Sequence, residues 1–174
     1  MSNMTDYAAE RASYRWSAPK KFNFARDVLD VWAEKDPAHL ALWWIDDHGT
    51  EIKRTFAELC ERSRRLCNVL AEIGVQRGDT VICMLGRNIE WWEILTACLR
   101  MGAVCSPGTT QLSPKDIGYR IEAANAVCFI TDAANAAKLE ATPAAQRLKG
   151  RVVVVRYDGL PEDGDPAAQL WTRA

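Results

Sequence analysis

The stretch Pro107-Gly108-Thr109-Thr110-Gln111-Leu112 carries residue types suited to holding a ligand: a Pro-Gly turn, two hydroxyls, and an amide offering a donor and an acceptor together. It follows a short apolar run, and open α/β sheets place ligands at the carboxyl ends of their strands. A phosphate loop needs more, namely backbone amides free to converge on the anion and an ammonium to neutralise it. No glycine or lysine follows Thr110 within this loop. A dinucleotide turn fails in the same way, because the single Gly86 is followed by bulky Arg87, and no Gly-Lys-Ser/Thr occurs. Cys60, Cys67, Cys83, Cys98, Cys105 and Cys128 fall at apolar positions with no Cys-x-x-Cys pair, and neither His39 nor His48 completes a metal spacing. They read as reduced core thiols of a cytoplasmic protein. Trp43-Trp44 and Trp91-Trp92 read as packing, because adjacent residues point to different sides of a strand or helix. No Ser-His-Asp, Cys-His or paired-carboxylate arrangement is present, so no catalytic and no metal-binding residue is assigned.

The elements that must position that loop are legible on either side of it. Thr80 to Leu85 is an apolar, β-branched run opened by Gly78-Asp79, as a buried parallel strand should be. Asn88 as N-cap opens a helix with Trp91, Ile94, Leu95, Cys98, Leu99 and Met101 at helical spacing, closed by Gly102. Ala103 to Cys105 is a second short strand. Ser113-Pro114-Lys115-Asp116 restarts a helix with a Ser cap, Pro at the first position and an acid at the third. A strand–helix–strand crossover of this length makes a parallel, right-handed unit.

Upstream, Phe22 to Glu34 reads as a helix with Phe24, Val28, Leu29, Val31 and Trp32 on one face, stopped by Asp36-Pro37. Leu40 to Ile45 and Glu51 to Arg54 read as a hairpin about Asp46-Asp47-His48-Gly49. Thr55 to Ile73 is the longest helix, with a Thr55/Glu58 capping box and a stripe of Phe56, Leu59, Cys60, Ser63, Leu66, Cys67, Leu70 and Ile73. Arg62, Arg64 and Arg65 fall off that stripe and read as a solvated face. Downstream, Ala126 to Thr131 and Arg151 to Arg156 are further buried strands, with a helix at Ala133 to Leu139 and a short turn at Pro143 to Leu148 between them. Strands alternating with helices predict an α/β fold: an open, mostly parallel sheet with helices on both faces and a small β-hairpin beside it.

Composition bounds the rest. The chain of 174 residues is 48% hydrophobic, with 22 basic and 23 acidic residues. That supports one core and argues against nucleic-acid binding through net charge. No apolar run approaches the ~20 residues of a membrane span. Residues 1–21 read as a polar lead with Tyr14 and Trp16 as anchors onto the body; Asp6 and Glu10 argue against a mitochondrial leader. Residues 158–174 read as a linker-like tail, with Leu170-Trp171 opening a further element.

Read together, Thr55-Phe56-Ala57-Glu58-Leu59, the run Leu99 to Val104 with Pro107, Phe22 to Asp30, Glu90-Trp91-Trp92 and Pro107 to Leu112 resemble the amino-terminal part of the AMP-forming acyl-CoA synthetases, in the medium-chain branch of the adenylate-forming superfamily. The likeness spans roughly residues 7–157. It implies that residues 22–157 are part of that fold's amino-terminal subdomain. It implies a parent activity in which a small-molecule carboxylic acid, medium-chain fatty or aryl, reacts with ATP to give an acyl-adenylate that coenzyme A then captures, with Mg²⁺ offsetting phosphate charge. It also implies that Gln111 faces the coenzyme A channel. The arginines that other members place after the third strand for the coenzyme A phosphate are replaced here by Ala133-Ala134-Asn135-Ala136-Ala137, with Lys138 as a possible substitute. The family's Ser/Thr/Gly phosphate loop and its later catalytic lysine do not occur before Ala174, so the resemblance implies a chain truncated ahead of the ATP-binding loop. Such a chain is expected to be inactive alone, to bind neither ATP nor coenzyme A tightly, and to partner the remainder of the synthetase. The competing reading is a stand-alone, non-catalytic α/β interaction module.

Overall fold

The computed structural model describes residues 5–155 and the backbone of residues 171–173. Helix α1 (Tyr7–Ser13) lies within the polar lead, capped by Asp6, whose carboxylate accepts the Ala9 N–H. A π-helical segment (Ala25–Asp30) runs into α2 (Val31–Lys35). Strands β1 (Leu40–Ile45) and β2 (Glu51–Thr55) form an antiparallel hairpin, followed by the long α3 (Phe56–Glu72). Then β3 (Thr80–Met84), α4 (Glu90–Met101), β4 (Val104–Pro107), α5 (Pro114–Ala123), β5 (Cys128–Asp132), α6 (Ala133–Glu140), α7 (Ala144–Arg147) and β6 (Val152–Val155) alternate along the chain. A last strand, β7 (Trp171–Arg173), pairs antiparallel with β6.

The main sheet has the order β4-β3-β5-β6-β7, with β4, β3, β5 and β6 parallel. The chain leaves β3 for β4 on one side and then crosses back to β5 on the other. With right-handed crossovers, that reversal puts successive helices on opposite faces. Val81, Cys83, Leu85, Cys128, Ile130, Val153 and Val155 face Leu66, Leu70, Ile94, Ala97 and Cys98 of α3 and α4. Alternate positions Ile82, Met84 and Phe129 face Ile117 and Ile121 of α5, Leu139 of α6 and Leu148. This is the expected mostly parallel sheet with helices on both faces and a separate hairpin. Both expected capping boxes form: Thr55 with Glu58, and Ser113 with Asp116. Gly102 ends α4 at φ 76°, a left-handed position that suits glycine.

Five expectations are corrected. Asn88 is not a side-chain cap: Ile89 holds the cap position, and the Asn88 carbonyl accepts the Trp91 N–H instead. Leu99, expected inward, is 39% exposed, because the buried stripe of α4 starts one turn earlier with Glu90 and Glu93. In the segment before the hairpin only Ala25 and Leu29 are buried, while Phe24, Val31 and Trp32 face solvent. Tyr14 and Trp16 do not anchor the lead, since both are exposed. Arg62 is buried, not on a solvated face. It sits beside Glu93 on α4, a neighbour that helical spacing in α3 alone does not disclose. Of the expected linker-like tail at residues 158–174, only 171–173 are among the described residues, and they form strand β7.

Candidate functional site

Three loops leave the carboxyl ends of β3, β4 and β5 along one edge of the sheet. At the point where the strand order reverses, β3 and β5 send their chains to opposite faces, which opens a crevice between them. Thr131 closes its floor, donating its hydroxyl to the Met84 carbonyl at 2.7 Å. Above lies a cleft of about 580 Å³ lined by Trp44, Ile45, Asp46, Asp47, Arg87, Asn88 and Asp132. The hairpin forms its roof, because Trp44 Nε1 donates to the Arg87 carbonyl. Asp132 caps α6, accepting the Asn135 N–H at 2.8 Å and the Asn135 side-chain amide. Asp46 accepts the His48 and Thr50 N–H groups at 2.8 and 2.7 Å and so shapes the hairpin turn. Three carboxylates against one guanidinium make this cleft unsuited to a polyphosphate.

Beside it, the loop after β4 forms a shelf. The Gly108 N–H donates to the Cys83 carbonyl at 2.8 Å, the Gln111 N–H to Thr109 Oγ1 at 3.3 Å, and the Leu112 N–H to the Thr109 carbonyl at 3.3 Å. A Cβ on Gly108 would stand 3.1 Å from Leu112, so the turn is also closely packed. These three amides are turned inward, so this loop does not present them to a phosphate. Among the described residues no group of three or more His, Cys, Asp or Glu is placed to hold a metal ion by itself. What the shelf does offer is the exposed side-chain amide of Gln111. Lys138 on α6 is half-buried and donates to the Thr110 carbonyl at 2.6 Å. It braces the shelf from the neighbouring helix, with its ammonium already engaged. Gln111 and Lys138 therefore meet at one loop, while the cleft of Arg87, Asn88 and Asp132 was missed in the sequence. The available signal was topological: both loops follow strands flanking the reversal.

The thiols lie below this edge. Cys83 and Cys98 reach Cys105 Sγ; those contacts and burial raise the Cys83 and Cys98 thiols, and the same contacts lower Cys105. Burial pushes Cys128 up to about 12 and Cys60 up to about 11. Among the described residues all six cysteines are free, as a reduced core would have them.

Over residues 29–172 the chain matches the family model described as AMP-binding enzyme. The chain belongs to the AMP-binding enzyme family. It is 41% identical over 159 residues to the mitochondrial acyl-coenzyme A synthetase ACSM3 of Pongo abelii, covering 87% of this chain and 27% of that protein. With the mitochondrial acyl-coenzyme A synthetase ACSM4 of Mus musculus it shares 50% over 118 residues, covering 64% of this chain and 20% of that one. The crystal structure of a Brucella canis acyl-CoA synthetase superposes with a TM-score of 0.71 at 26% identity, over 95% of this chain and 30% of that chain. The resemblance to the amino-terminal part of the AMP-forming acyl-CoA synthetases is thereby borne out. The chain spans about 27% of the length of the ACSM3 relative it matches. No helix among the described residues is long and apolar enough to cross a membrane.

Proposed function

We propose that this chain is an amino-terminal portion of an acyl-CoA synthetase whose complete form joins a medium-chain fatty or aryl carboxylic acid to coenzyme A at the expense of ATP with Mg²⁺. In that form the portion is scaffold and one wall of the coenzyme A or acyl channel. Gln111 is the coenzyme A contact, and the remainder of the synthetase covers the carboxyl edge of the sheet. The observation that carries this reading is the shelf after β4: the Gly108, Gln111 and Leu112 N–H groups are engaged internally, while the Gln111 side chain is exposed. Such a surface can hydrogen-bond a neutral pantetheine-like chain but cannot hold a triphosphate. Alone, the portion makes no acyl-adenylate. Its unpaired thiols suit a reducing compartment, and we place it in the cytoplasm; the relatives' names place those proteins in mitochondria.

Calorimetric titration of the 174-residue chain with coenzyme A and, separately, with ATP–Mg²⁺ tests this. Weak saturable heat with coenzyme A that disappears in Gln111→Ala, and none with ATP, is the expected result. Tight ATP binding, or coenzyme A binding indifferent to Gln111→Ala, would overturn it and return attention to a self-contained interaction module.

A further inference from the structure

At the opposite end of the sheet from Gln111 lies a second surface. Residues 14–26 carry four cations, Arg15, Lys20, Lys21 and Arg26, and no acid. Their aromatic side chains are turned to water: Trp16 is 87% exposed, Tyr14 60%, Phe22 59% and Phe24 44%. Lys20, Lys21, Phe22, Phe24 and Arg26 line a cleft of about 660 Å³ with Arg77 and with Leu99 to Gly102 at the end of α4. The Arg77 stem packs over Gly102. Arg77 precedes β3 and Gly102 precedes β4, so this cleft opens at the amino ends of the strands. Asn23 pins the segment here by donating its side-chain amide to the Leu99 and Arg100 carbonyls at 2.8 and 3.2 Å.

The charge is not balanced locally. Asp27 holds Arg26, and Asp30 holds Arg100 and Arg64. Among the described residues no carboxylate pairs with Lys20, Lys21 or Arg77. Aromatic rings beside long cationic side chains are the composition of a membrane–water interface, where the ring enters the headgroup layer and the cation stays with phosphate. A second copy of this chain would bring the same positive surface, setting like charges against each other across a two-fold contact. Single-stranded nucleic acid would also stack on the rings, but it requires a groove that tracks its backbone, whereas these cations converge on one cleft.

We propose that the surface formed by Lys20, Lys21, Phe22, Phe24 and Arg77 docks the protein peripherally on an anionic lipid bilayer. The cations meet the headgroups and the rings enter the interface, which together supply the two signals that stable peripheral binding requires. Because this surface lies at the amino ends of the strands, a partner on the carboxyl edge leaves it free.

Co-sedimentation of the 174-residue chain with phosphatidylcholine vesicles, with and without phosphatidylglycerol, tests the proposal. Binding is expected only with the anionic vesicles, and it should weaken in salt near 1 M, where the screening length falls to ~3 Å. Lys20→Glu with Lys21→Glu should weaken binding more than ~10-fold. Phe22→Ser should weaken it to a smaller degree. The urea midpoint should stay unchanged in both variants, because these side chains are exposed. Failure to bind anionic vesicles, binding indifferent to both variants, or saturable capture of a single-stranded oligonucleotide in its place would each overturn the proposal.

Discussion

The layer between the parallel sheet and α3–α4 shares helix α4 with the junction to the hairpin, yet the two are held in opposite ways. In the sheet layer, Leu66, Leu70, Val81, Ile94, Ile130 and Val153 are buried in one cluster of apolar side chains and thiols. At the junction the same helix begins with two buried acids. Glu93 is fully buried, its Oε1 accepting Arg62 Nε of α3 and standing 3.8 Å from Arg54 Nε of β2. Arg54 Nε, Arg62 Nη2, Glu90 Oε2 and Glu93 Oε2 have no hydrogen-bond partner among the described residues. A second knot lies nearby, where Asp30 takes Arg100 at 2.6 Å and Arg64 at 2.9 Å. Apolar packing is tolerant of orientation. Buried charges are not, so they fix how the hairpin and the preceding segment sit against α3 and α4 at a cost in desolvation.

That contrast has a direct test. Glu93→Ala should destabilise by about 3–5 kcal/mol in urea unfolding, because it strands two buried guanidinium groups. Phe129→Ala should cost a comparable ~3–5 kcal/mol by leaving a cavity. The two should separate on rescue: Arg54→Met and Arg62→Met combined with Glu93→Leu should recover most of the loss, whereas nothing beside Phe129 can. If the triple variant is as unstable as Glu93→Ala, the junction is not the net desolvation burden described here.

A smaller effect sharpens the comparison through pH. The Asp30 carboxyl is lowered from 3.8 to about 2, chiefly by its hydrogen bonds from Arg100. A depressed pKa contributes stability that is present above about pH 4 and is lost as pH falls toward 2. Glu90 is raised above 4.5, chiefly by burial, so its ionised form weakens the fold as pH rises through that range. Stability measured against pH should therefore lose part of its acid limb in Asp30→Asn, while Glu90→Gln should gain stability at neutral pH. An acid limb unchanged in Asp30→Asn would remove the second knot from the account.

The smallest effect belongs to a local feature. Thr55→Ala should cost about 1 kcal/mol by thermal unfolding, since it removes the acceptor for the Glu58 N–H where the hairpin enters α3. A loss as large as that of Glu93→Ala would mean that this cap, more than the buried charges, sets the junction.

Legibility follows the same division. The strand Thr80 to Met84, the Thr55 and Ser113 capping boxes and the glycine at the end of α4 depend on neighbours within one or two helical turns, so the pattern carries them. Arg62 misleads because its partner Glu93 lies 31 residues away on another helix. Glu90 and Glu93 extend the buried stripe of α4, yet an acid at a helix start reads as a dipole complement and hides that burial. At the candidate site, Gln111 and its loop are readable as a ligand-facing composition. The engaged amides of that loop and its brace from Lys138 are not, since they need the register of β3, β4 and α6 together.

The sequence by itself determined the α/β alternation, the two-faced burial of the strands, the caps and the family likeness, because each is written in spacing over a few residues. Only the tertiary structure decided which charges are buried, which amides of the loop after β4 are engaged, and that Phe22 and Phe24 stand beside cations with no carboxylate partner among the described residues. Those properties depend on what lies across the sheet or on another helix, and electrostatics and hydrogen bonding act through that space rather than along the chain.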